Sequence, residues 1–131
     1  MRPRIVLPLA AAAGVLALAA QFLILSPALP ARGEYFLTEL ARGQVGVVSI
    51  PLMLGLAFAF GSYTRTSAVL VGLAMVLVFP AIALYEAVQY RGSHNLIPFE
   101  FAIIAIAAIP LMLTAWFGQK ARAARDPSPD A

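Results

Sequence analysis

Residues 5–25 carry no charged side chain, and Gln21 is the one strongly polar group among them. At about 1.5 Å per residue, a helix over that run spans roughly 30 Å, the thickness of a bilayer's hydrocarbon core. A soluble protein would have to bury such a helix on every side, whereas lipid leaves nothing to cover. The rest of the chain decides between these solvents. Of its 131 residues, 62% are hydrophobic and only 11% charged, too few polar groups to coat a water-facing domain. The expectation is one all-α integral membrane domain. Arg2, Arg4 and Ala17-Leu18-Ala19 also fit a cleaved leader. The apolar run continues to Leu25, longer than a leader's apolar core, which favours a retained first helix.

Three further apolar runs, at residues 45–63, 67–89 and 96–117, extend this to a four-helix membrane bundle. They leave an outer loop at 27–44 and a basic, disordered tail at 119–131. Pro27 and Pro30 stop the first helix, Pro98 suits the first turn of the fourth, and Gly118 closes it. Pro51, Pro80 and Pro110 each fall inside a span. Pro51 is expected to free the carbonyl of Val47 and Pro80 that of Val76, and all three are expected to bend their helices. Gly55 with Ala59, and Ala68 with Gly72, have the four-residue spacing of small side chains that lets membrane helices approach closely. In the loop, Tyr35, Phe36, Leu37 and Leu40 stand among Arg32, Glu34, Glu39 and Arg42. That mixture suits either an amphipathic helix on the membrane surface or a solvated connector.

Basic residues set the orientation. With the N-terminus in the cytoplasm, Arg2, Arg4, Arg65, Lys120, Arg122 and Arg125 lie inside, against Arg32, Arg42 and Arg91 outside. The excess favours both termini cytoplasmic in a plasma or inner membrane. The formal charge of +3 is therefore accounted for by lipid and topology rather than by nucleic acid. The absence of cysteine excludes disulfides, thiolate metal sites and thiol redox chemistry.

The polar residues with chemistry to offer gather around one turn. Glu100 stands between Phe99 and Phe101, about one helical turn into an apolar run, where a bare carboxylate is costly. Its place near a helix N-terminus reduces that cost. Glu86 lies on the preceding helix at a matching depth, with His94 and Asn95 between them. These four residues are the candidates for ligand or proton binding. They also suit a structural clasp in which Arg91 neutralises Glu86. A metal held by Glu86, His94 and Glu100 would rest on a thin ligand set, with one histidine and no zinc-binding spacing. No cofactor is expected, and no nucleophile pattern argues for an enzyme.

The run His94-Asn95-Leu96-Ile97-Pro98-Phe99-Glu100 resembles a signature of small, uncharacterised bacterial four-helix membrane proteins. The likeness covers the third helix, its turn and the fourth helix. It implies the fold and brings no activity with it. Small multidrug exporters have a glutamate in the first helix where this chain has Gln21, quinone-linked thiol oxidases need cysteines, and di-haem bundles need several histidines. The leading functional expectation is a non-catalytic subunit or accessory component, packing with itself or in a larger membrane complex. The alternative is a transporter or ligand-binding protein that uses the Glu86, His94 and Glu100 pocket.

Overall fold

Proline sets the helix boundaries. A computed structural model describes residues 3–90 and 97–125, and these are all-α. The helices are α1 (Pro3–Leu25), α2 (Phe36–Gly43), α3 (Ser49–Tyr63), α4 (Ala68–Met75), α5 (Val78–Gln89), α6 (Ile97–Ala107) and α7 (Ile109–Arg125). Pro51, Pro80, Pro98 and Pro110 all sit in the first turn of a segment, where an absent N–H leaves nothing unpaired. The expected bend at Pro80 is present: α4 and α5 meet at 47°. The freed Val76 carbonyl accepts the Phe79 N–H instead, at 3.1 Å. At Pro110 the interruption is slight, and residues Pro98–Arg125 read as one long apolar helix.

Three expected boundaries differ. The span at 45–63 starts as a helix only at Ser49, because residues 44–49 fold into a cap. The Ser49 hydroxyl donates to the Gln44 carbonyl at 2.6 Å, and the Gly46 N–H donates to Ser49 Oγ at 2.9 Å. Pro51 therefore interrupts no helix. Gly118 does not end the last helix, which continues to Arg125. A β-carbon there would strike the Phe58 carbonyl and Ser62, so this glycine serves close approach. Residues 119–125 of the expected disordered tail are thus helical, with Arg122 and Arg125 placed favourably at the negative end of the helix dipole. Finally, the loop at 27–44 contains α2, a helix that buries Thr38 and Ala41 against the protein, so this stretch is more than a solvated connector.

The core is formed by α1, α3, α4 and α7 and is made largely of small side chains. Val6, Ala10 and Ala17 of α1 belong to one cluster with Met53 and Ala57 of α3, Val71 and Met75 of α4, and Leu111 and Ala115 of α7. Bare backbone carries the closest crossings, since a β-carbon on Gly61 would land on the Ala115 carbonyl and one on Gly14 on the Met75 carbonyl. The expected Ala68 and Gly72 pair faces inward, with Gly72 against Met112. Gly55 faces outward with nothing near it. Large apolar side chains cover the exterior: Leu23 is 74% exposed and Ile106 65%. Two helices, Arg4–Leu25 and Pro98–Arg125, are long and apolar enough to cross a membrane, and the bent α4–α5 pair makes a third.

Candidate functional site

The polar side chains meet at the two ends of the molecule. At one end, α7 closes over the α3–α4 connector: Gln119 donates to the Thr66 carbonyl at 2.6 Å, and Arg122 donates to the Thr64 carbonyl. At the other end, Gln21 of α1 serves the start of α3. Its Oε1 accepts the N–H groups of Val48 at 2.8 Å and Ser49 at 3.1 Å. Each contact gives a partner to backbone groups that a helix end or a turn leaves free.

Glu86 does the same for α2. It is 2% exposed, among the most buried side chains of the chain. Its Oε1 accepts the Leu37 N–H at 2.8 Å and, more weakly, the Thr38 N–H at 3.3 Å. Its Oε2 accepts the Thr38 hydroxyl at 2.5 Å. Tyr35, at the N-cap position, gives α2 no side-chain cap, so a carboxylate from α5 supplies one. Donors and the positive end of the helix dipole stabilise the buried charge. The sequence suggested Arg91 for this task. Arg91, His94 and Asn95 lie outside the described residues, so the His94 part of the expected site and of the Glu86, His94 and Glu100 metal trio has no structural description here. Among the described residues, no three histidine, aspartate or glutamate side chains group to hold a metal.

Glu100 has a different partner. It sits in the first turn of α6, as the sequence indicated, and its Oε1 accepts from Arg42 Nη2 at 3.2 Å. The Arg42 side chain is 58% exposed and that of Glu100 17%. The second oxygen, Oε2, is buried and has no hydrogen-bond partner among the described residues. Glu86 and Glu100 are therefore both held by α2, through Thr38 and Arg42, which stand one helical turn apart. The sequence missed this arrangement. It placed both carboxylates at one depth but assigned their partners to the turn between α5 and α6. The signal available was the Thr38 and Arg42 spacing in a loop of mixed polarity.

Beneath this pair lies an apolar cavity of about 580 Å³. Met53 and Leu54 of α3, Val76 and Phe79 at the α4–α5 break, Ile104 of α6 and Leu111 of α7 form its walls, with Arg42 and Glu100 at its polar end. Val76 and Phe79 place the 47° break between α4 and α5 in the cavity wall. Its size and composition are those of a small-molecule site: mostly apolar, with a few convergent polar groups. No protein-family model, no curated protein and no solved structure matches this chain.

Proposed function

We propose that this chain is a four-span protein of a bacterial inner membrane that binds a small amphipathic ligand without chemical conversion. The spans are α1, α3, the α4–α5 pair and the α6–α7 pair, with both termini cytoplasmic. The apolar exterior and the segregation of charge to the molecule's two ends support the membrane assignment. The excess of basic residues at the Arg65 and Arg122 end supports the orientation. Trp116 adds to it, with the Lys120 ammonium 5.3 Å from its ring centre, an arrangement suited to an interfacial anchor. Core contacts made by Val6 and Ala10 support a retained first helix.

The observation that carries the binding reading is the apolar cavity of about 580 Å³ with the Arg42–Glu100 ion pair at its polar end. Mostly apolar walls with a few convergent polar groups suit an amphipathic guest. Native mass spectrometry of the protein extracted in mild detergent tests the reading. The expected result is one small amphiphile retained per chain and lost in Ala107→Phe, which fills the cavity from an exposed position. Equal adduct patterns in both proteins would refute it.

A second reading, the accessory component of a larger complex, is favoured by the outward Gly55. A β-carbon there would meet nothing within 4 Å. Together with Ala59 it offers another helix a narrow face. Size analysis in detergent tests it: a monomer with no co-purifying protein would sink it.

A further inference from the structure

We infer that α2, α5 and α6 swing as one body on two helix breaks, and that a guest in the cavity decides how far. The swing stands on packing and backbone geometry. Its control by a ligand rests on the binding reading above and adds the regulation of that site.

The two breaks lie at one level. Between α4 and α5, the Leu77 N–H donates to the Ala74 carbonyl at 3.2 Å and the Phe79 N–H to that of Val76 at 3.1 Å, three residues back instead of four. Between α6 and α7, Pro110 has no N–H to offer the Ile106 carbonyl. A helix bends most readily at such gaps. α4 and α7 run antiparallel, since Gly72 lies against Met112 while Gln119 reaches the Thr66 carbonyl. One turn further from that connector, Gly72 gives way to Val76 and Met112 to Ala108, so the breaks stand opposite each other.

The bodies on either side are held differently. α1, α3, α4 and α7 are locked backbone to backbone: a β-carbon on Gly14 would strike Met75, one on Gly61 Ala115, and one on Gly72 Met112. Beyond the breaks, α5 packs on α2 and α6, with a smaller contact to α1. α2 ties that group together, holding Glu86 of α5 through Leu37 and Thr38 and Glu100 of α6 through Arg42. The cavity lies along the joint. Met53 and Leu54 belong to the locked body, Ile104 to the other, and Val76 and Pro110 to the breaks. An unfilled apolar space forfeits dispersion contacts along its walls. An empty cavity therefore favours closure of α6 on α3, and a guest favours the arrangement with about 580 Å³ between them.

The chain has no cysteine, so pairs of introduced cysteines carry spin labels cleanly on the full protein in lipid nanodiscs. Val47, just before α3, and Phe99 of α6 report on the joint. Val88 and Phe99 lie within the swinging body, Leu16 and Phe117 within the locked one, and all of these positions are exposed. Ala108 to Phe99 is nine residues, about 14 Å of helix, so a swing of roughly 20° displaces Phe99 by about 5 Å. Pulsed electron spin resonance should give two Val47–Phe99 distances about 5 Å apart and one narrow distance for each other pair. Ala107→Phe fills the cavity and should leave only the longer distance. Pro110→Ala restores the missing N–H and should leave a single distance. One narrow Val47–Phe99 distance in the otherwise unaltered chain would overturn the swing. A Val88–Phe99 spread as wide as that of Val47–Phe99 would overturn the single body. Both distances persisting in equal proportion in Ala107→Phe would overturn control by the cavity's contents. Retention of an amphiphile is read separately by mass spectrometry, so the binding reading stands or falls by itself. Should Ala107→Phe not fold, the three pairs and Pro110→Ala still decide.

Discussion

Replacing Glu86 by alanine should unfasten α2 and leave the rest of the protein folded. The carboxylate accepts three hydrogen bonds at the start of α2, two of them short, at 2.8 and 2.5 Å, and one long, at 3.3 Å. A hydrogen bond to a charged group contributes roughly 1.5–3 kcal/mol, so the two short bonds alone bracket about 3–6 kcal/mol. Part of that returns on truncation, because the exposed face of α2 lets water reach the freed Leu37 N–H. A net loss of about 3 kcal/mol is the working value, equivalent to roughly a hundredfold in the opening equilibrium. The loss should stay local. Thr38 and Ala41 are buried, but neither belongs to the main core cluster, so α2 can open as a sub-global unit. Hydrogen exchange in nanodiscs reads it directly. In Glu86→Ala the amides of Leu37 and Thr38 should exchange about a hundredfold faster, while those of α3 and α7 keep their protection. Glu86→Gln keeps an acceptor without the charge and should show a smaller acceleration, about tenfold. Unchanged exchange at Leu37 and Thr38 in Glu86→Ala would refute the cap. Uniform acceleration across the chain would refute its local character.

Gly61→Ala should destabilise the protein by about 3 kcal/mol in thermal denaturation in detergent, because the new methyl would meet the Ala115 carbonyl and backbone cannot yield cheaply. Gly55→Ala should instead gain up to about 1 kcal/mol from helix propensity, since the site is open. A loss of oligomer at Gly55→Ala would favour the accessory-component reading. Gln21→Leu should cost about 2 kcal/mol and accelerate exchange at the Val48 and Ser49 amides, which lose the acceptor that caps α3.

Much of the helical layout was legible because lipid-scale apolar runs are long and few charges interrupt them. The bend near Val76 could be read from Pro80 alone, since a residue without an N–H forfeits a bond wherever it sits. The boundaries were less legible for the same reason. Pro51 reads as an interruption only while its helix is assumed to begin earlier. What fixes that beginning is tertiary: Gln21 reaching across from α1, and the Ser49 cap. Gly118 misled because a glycine that stops a helix and a glycine that lets two helices touch look alike in one sequence. The site was half legible. Glu86 and Glu100 stood out as carboxylates in apolar surroundings. Their partners lay in residues 27–44, where short-range pattern could not separate a packed helix from a solvated connector.

The distribution of polar side chains explains why Glu100 carries the functional argument and Glu86 does not. Away from water, a polar side chain has to satisfy something, and most of those described here satisfy backbone. Gln21 serves the start of α3, Glu86 the start of α2, and Gln119 and Arg122 the carbonyls of the α3–α4 connector. Each has a structural reason to be present. The Gln44 amide oxygen and the small hydroxyls of Ser62, Thr64 and Thr66 are also buried without partners among the described residues, but these groups are neutral and none lines the cavity. Glu100 is different in kind. One oxygen is held by Arg42, the other has no partner among the described residues, and the pair borders an apolar space large enough for a guest. A carboxylate needed only to clasp α2 would gain by turning both oxygens to donors, as Glu86 does with Leu37 and Thr38. The ion pair that Glu100 makes instead, at the polar end of the cavity, is the part of the structure that a ligand's head would meet.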